Sequence, residues 1–173
     1  MQARREKDRI VMTTNAQEAR VLREVLQTIA DYYGRKPQEL DARARAAWYS
    51  TRGCEAAGLS PDETSEWLEQ LHGFRSARRE RLAGWSRQLA EGAGRSATLH
   101  LSLEDAPAFV TALNDHRLLL AAQHDIGEAE MDARSIFAML KLPPAQQRAL
   151  FEVHLLAWFI EVVLRALEEG QAA

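Results

Sequence analysis

Ala108-Phe-Val-Thr-Ala-Leu-Asn-Asp-His-Arg-Leu-Leu-Leu-Ala-Ala122 is the stretch on which the fold turns. It reads as a buried helix that nevertheless carries four consecutive polar residues, Asn114 to Arg117. At about 100° per residue from Phe109, Leu120 falls near 20°, Leu113 near 40° and Val110 near 100°. Arg117 falls at about 80°, inside that apolar arc, and His116 sits at its edge. An arginine cannot shed its proton, and leaving one unpaired in a core costs on the order of 3–5 kcal/mol. The helix therefore predicts a polar centre, with Glu161 as the expected partner of Arg117 and Asp115 as the second choice.

Working outward, Thr98-Leu-His-Leu-Ser-Leu103 alternates at period two and predicts a half-buried strand. Ser102 and Asp105 then open the helix. A similar unit stands 88 residues earlier. Ile10–Thr13 is a strand candidate, the pairs Thr14 with Gln17 and Asn15 with Glu18 are overlapping capping boxes, and Val21, Leu22, Val25, Leu26, Ile29 and Tyr33 follow at helical spacing up to Gly34. A lone short strand is unstable, so the two strands are expected to pair.

Between these units, Pro37 to about Ser50 predicts an alanine- and arginine-rich helix, broken by Gly53 and Gly58. Ser60-Pro-Asp-Glu63 is a helix start, and Trp67, Leu71, Phe74, Leu82, Trp85 and Leu89 share one stripe, with bends allowed at Gly73 and Gly84. Residues 90–97 are expected to be a flexible internal loop. Met131 to Leu140 predicts a short helix. The last helix runs from Pro143-Pro144 to about Glu168 and is apolar nearly all round, which predicts a central position. The expected fold is mainly α: one domain over residues 1–173, a bundle of five or six helices with a two-stranded β element.

Composition excludes several classes. Apolar content of 46% and charged content of 27% are ordinary for a globular chain. The net charge of −3 is unevenly spread, +3 over residues 1–103 and −6 over 104–173. Cys54 is the sole cysteine, so no internal disulfide can form, as expected of a reducing cytoplasm. The charged opening Met1-Gln-Ala-Arg-Arg-Glu-Lys-Asp-Arg9 is not a signal peptide, and the most apolar window, Leu150 to Leu164, carries Glu152, His154 and Glu161 and is too short to span a bilayer.

Chemistry-bearing motifs are few. His116, His124, Asp125, Glu128, Glu130 and Asp132 cluster in sequence, but at no metal-binding spacing, so no metal and no cofactor are expected. Arg75, Arg78, Arg79, Arg81 and Arg87 fall at about 80°, 20°, 120°, 320° and 200° from Trp67, all round the helix, so they form no nucleic-acid stripe. Arg78 lies on the apolar line itself. Some of these arginines are expected to pair with the acidic C-terminal part. Cys54 lacks a nearby histidine, and neither a Gly-x-Ser-x-Gly elbow nor a phosphate loop is present, Gly92-Ala-Gly94 lacking the strand before it and the Lys after it. Cys54 is expected to be a buried free thiol.

Two segments, Ala112-Leu-Asn-Asp-His-Arg-Leu118 and Trp158-Phe-Ile-Glu161, resemble a family of bacterial proteins of unknown function, best known from actinobacteria. The family's genes often lie beside that of the Clp protease adaptor. Its cores read Leu-Asn-Asp-x-Arg-Leu and Trp-Leu-Gln-Glu; Ile160 and Val162 here replace polar residues. The strand-helix unit near the start is similar too, whereas residues 35–95 carry no such likeness. The resemblance implies a helical fold and a bacterial cytoplasmic setting, and no reaction. The expected function is that of a non-enzymatic interaction or regulatory protein with a protein partner or self-association, and without membrane or nucleic acid. The alternative is a ligand-binding or enzymatic domain using Asn114, Asp115, Arg117 and Glu161.

Overall fold

Arg9–Asn15 (β2) and Ser96–Ser102 (β3) lie side by side and antiparallel, with Ile10 opposite Leu101, Met12 opposite Leu99 and Thr14 opposite Ala97. All six of these side chains are buried, because alternate residues of each strand point to one face. The expected pairing of the two strands is therefore present. Gln2–Glu6 (β1), where the sequence predicts no element, adds a third strand against β2 through a two-residue turn in which Lys7 has φ +52°. The sheet order β1-β2-β3 puts β2 in the centre, so the β element has three strands rather than two.

The computed structural model describes residues 1–91, 96–131 and 140–169. Among these residues the chain is mainly helical. The helices are α1 (Ala16–Tyr33), α2 (Ala42–Trp48), α3 (Arg52–Ala56), α4 (Pro61–Glu91), α5 (Ala106–Gln123), α6 (Glu128–Met131) and α7 (Pro144–Glu169). That is one more than the upper expectation, because Arg52–Ala56 forms a short helix of its own where glycine breaks were expected; the 37–50 segment also divides. Pro37–Glu39 is a 3-10 turn, and Asp41 caps a separate α2 by accepting from the amides of Arg43 and Ala44. Gly53 sits inside α3 instead of breaking it, while Gly58, with φ +70°, lies just past its end. Most of the helix expected over Met131 to Leu140 lies outside the described residues. Ala90 and Glu91 extend α4, and Ser96 and Ala97 belong to β3, which leaves only 92–95 of the expected loop outside the described residues.

Caps fix the ends. Asn15 and Glu18 form a reciprocal box at α1, while Thr14 is instead buried in β2 and donates to the carbonyl of Ala97 at 3.1 Å. Ser60 and Glu63 close the start of α4, and α4 runs unbroken through Gly73 and Gly84.

One core joins sheet and helices, from Ile10 to Ala166. The central helix is α5, not α7. Helix α5 packs on α7, α2 and α1, and its buried residues, from Ala106 to Ala121, point in several directions. Helix α7 buries a main stripe, Ala149, Val153, Leu156, Phe159, Val163 and Ala166, with Leu150 buried beside it against Ala121 and Ile126, and presents Phe151, Trp158 and Leu164 at the surface. Its all-round apolarity thus reflects uncovered side chains rather than a central position. Among the described residues, no helix is long and apolar enough to cross a membrane.

Candidate functional site

The polar centre of the domain is Asp115, and its partner is Arg75 from α4. Arg75 Nε donates to Asp115 Oδ2 at 2.9 Å and Nη2 to Oδ1 at 3.4 Å. Tyr33, at the end of α1, donates its hydroxyl hydrogen to Oδ2 at 2.7 Å. Arg75 Nη1 donates to the carbonyl of Trp48 at 3.0 Å, and the indole N–H of Trp48 donates to the backbone carbonyl of Asp115 at 2.7 Å. Four helices, α1, α2, α4 and α5 itself, therefore meet at Asp115.

An aromatic shell encloses the pair. The Arg75 guanidinium lies 4.9 Å from the centre of the Tyr49 ring and 5.6 Å from that of Trp48, while Tyr32 and Tyr33 meet Trp48 edge-on. Both charged side chains are about nine-tenths buried. Burial works against the Arg75 charge, but the hydrogen bond and charge of Asp115 leave its pKa above the ordinary arginine value. Burial, and then the neighbouring Asp115 charge, push the Tyr33 hydroxyl well above the usual tyrosine range. The Asp115 carboxylate is held in one geometry by the donors of Arg75 and Tyr33.

The residues singled out from sequence do not form one cluster. Asp115 faces α1, α2 and α4. Arg117 is half-buried; among the described residues it meets only Asn114 Oδ1, three residues back at 3.2 Å, and its Nε is buried without a partner. Glu161 is exposed and paired with Arg165 on its own helix. The expected Arg117–Glu161 pair is absent. The wheel of α5 assumes one apolar side, whereas this helix is covered on several, so apolar surroundings single out the wrong charge.

The expectation that α4 arginines pair with the acidic C-terminal part holds for Arg75 with Asp115 and for Arg81 with Asp105, the latter at 2.8 Å. Arg78, half-buried, has no ion-pair partner among the described residues. His116 Nε2 lies 3.1 Å from Glu152 and ties α5 to α7, with Nδ1 buried and without a partner among the described residues. Asp125 meets Arg43 at 2.8 Å, and Glu130 accepts from the amide of Gly127 at 2.9 Å. Among the described residues, no three His, Cys, Asp or Glu side chains converge to hold a metal ion. Cys54 is a buried free thiol, as its sequence context predicts.

Open hollows border this frame. One of about 270 Å³ between α4 and α5 is lined by Leu71, Phe74, Arg75, Arg78, Thr111 and Asp115. Another, of about 450 Å³, reaches His72, whose Nδ1 lies 3.4 Å from the Tyr49 hydroxyl.

The segment that carries this frame also carries a family signature. A family model described as a domain of unknown function, DUF2017, matches residues 69–167, more than half of the chain. The chain belongs to the DUF2017 family. Both resembling segments, around Asn114 and around Trp158, lie inside the match. Residues 69–95 lie inside it too, although the sequence likeness does not reach them, and the opening strand-helix unit lies outside it. Within the DUF2017 span fall Arg75, Asp115 and Arg78; Tyr33, Trp48 and Tyr49 come from the preceding residues. None of the curated proteins and none of the solved structures compared with the chain matches it.

Proposed function

We propose that the protein is a non-enzymatic interaction module that docks an acidic, apolar segment of a partner protein between α4 and α5. The observation that carries this reading is the division of one apolar line. Leu82, Trp85 and Leu89 on α4 are buried, while Leu71, half-buried, and Trp67 and Phe74, exposed, continue the same line without cover. Phe74 is 64% exposed. A stripe of large apolar side chains rimmed by charge is how a groove for a partner helix is built. The next position on the line is Arg78, the half-buried cation without an ion-pair partner among the described residues, and the 270 Å³ hollow opens beside it. An apolar side chain of the partner enters the hollow while a neighbouring carboxylate meets Arg78. The Arg75–Asp115 network beneath is saturated with internal bonds and serves as the rigid floor. The likeness to bacterial proteins and the single reduced thiol support a bacterial cytoplasmic setting for this activity.

A photoreactive residue at position 74, irradiated in lysate and read by mass spectrometry, tests this reading. The expected result is one crosslinked protein whose rebinding in purified form is lost with Arg78→Glu and kept with Arg20→Glu, a control on exposed α1 surface. Crosslinks spread over many unrelated proteins, or rebinding indifferent to Arg78→Glu, would sink it.

A further inference from the structure

Phe151, Leu155, Trp158 and Val162 on α7 repeat at spacings of four, three and four. That is the spacing of a coiled-coil seam, in which every side chain on the line faces a partner helix. Yet the seam lies about 120° round the helix from the stripe that α7 buries in the core. Phe151 is 60% and Trp158 37% exposed, and Leu155 and Val162 are half-buried. Arg148 and Arg165 occupy the next positions at either end and close the seam after four layers. The surface is separate from the α4 face.

We propose that the occupant of this seam is α7 of a second copy of the chain, packed antiparallel about a two-fold axis between Leu155 and Trp158. The pattern is complementary to itself in that register. Leu155 stacks on Trp158 of the second copy and Phe151 on its Val162, so each layer pairs a large ring with a smaller aliphatic group. Along one flank stand His154 and Glu161, and the same two-fold brings each His154 against Glu161 of the other copy, twice per dimer. In antiparallel coils, residues on the same flank of the two helices meet, so this match is specific to that direction. A parallel pairing would instead set Trp158 on Trp158 and Phe151 on Phe151, and would leave His154 without Glu161 opposite. Glu161 engages Arg165 through Oε1 alone, which leaves Oε2 for the histidine. The other flank is already used, with Glu152 bound to His116 and Phe159 in the core. Four layers cover less than the roughly 800 Å² per partner of a standard interface, so the dimer dissociates on dilution.

Sedimentation equilibrium of the full chain over a hundredfold concentration range reads the proposal directly. The wild type is expected to shift from monomer to dimer. Trp158→Glu is expected to weaken association tenfold or more, with circular dichroism confirming that the helical fold is kept. His154→Glu and Glu161→Lys should each weaken it, the first by setting glutamate against glutamate, and the double variant should restore it by exchanging the two signs. A chain that stays monomeric throughout overturns the proposal and leaves the seam to another protein's helix. So does a dimer indifferent to Trp158→Glu, and a double variant no better than either single one overturns the antiparallel register.

Discussion

Tyr33 donates to the carboxylate of Asp115 at 2.7 Å and so ties the end of α1 to the middle of α5, 82 residues away in the chain. A hydrogen bond to a charged acceptor contributes about 1.5–3 kcal/mol. Tyr33→Phe removes the donor, opens no cavity and leaves Asp115 with Arg75. Urea unfolding of that variant is expected to show a loss in this range, and a loss below about 0.5 kcal/mol would show that the bond adds nothing net.

The same hydroxyl predicts an alkaline limit. Burial first, and the Asp115 charge second, raise the Tyr33 pKa well above its ordinary 10.0. The folded chain therefore keeps a proton that the unfolded chain releases from about pH 10. The contribution is complete below pH 10 and is lost as pH rises beyond it. Tyr33→Phe should lose stability less steeply than the wild type between about pH 10 and 11.5. Parallel curves would refute the assignment.

Breaking the ion pair from one side leaves a buried charge without its partner. Arg75→Ala or Asp115→Ala is expected to cost about 3–5 kcal/mol. Replacing the whole polar set with apolar side chains of similar size, as Arg75→Met, Asp115→Leu and Tyr33→Phe together, should recover most of that loss, because the desolvation cost disappears with the charges. A triple variant as unstable as Arg75→Ala would show that the network itself, rather than its broken remnant, sets stability.

Arg117 gives the contrast. Its guanidinium has no carboxylate partner among the described residues, and burial holds its pKa below the ordinary arginine value. Arg117→Ala is expected to shift the urea midpoint by less than about 1 kcal/mol. A cost near that of Arg75→Ala would mean that Arg117 finds an acidic partner in solution.

Features set by local spacing were legible in the sequence. The alternation from Thr98 to Leu103 and the capping box of Asn15 and Glu18 act within a few residues, and both are present. Strand β1 was not legible, because Gln2–Glu6 is an edge strand of polar and charged residues around a single alanine, held by backbone hydrogen bonds, which carry no side-chain signature. The polar centre was half legible. The sequence marks residues 114–117 as the place where polarity enters the core, but a helical wheel ranks charges by distance from one apolar arc. Asp115, about 240° from Phe109, looks solvent-facing on that wheel. Only the tertiary position of α4, forty residues away, turns that side inward and supplies Arg75. The uncovered half of the α4 stripe was hidden for the same reason, since Phe74 and Leu82 share one line and differ only in what lies opposite.

The pairing of β2 with β3 reaches outside the family-matched span. A polypeptide begun at residue 69 would keep the family-matched span, yet it would present β3 with an unpaired edge and Leu99 and Leu101 without Met12 and Ile10 opposite. It would also leave Asp115 without Tyr33, and Arg75 without the Trp48 carbonyl. Such an excised fragment is a template for edge-to-edge aggregation rather than a minimal domain. In this chain the first 68 residues thus supply the strand that closes the β3 edge and two of the groups that hold the polar centre.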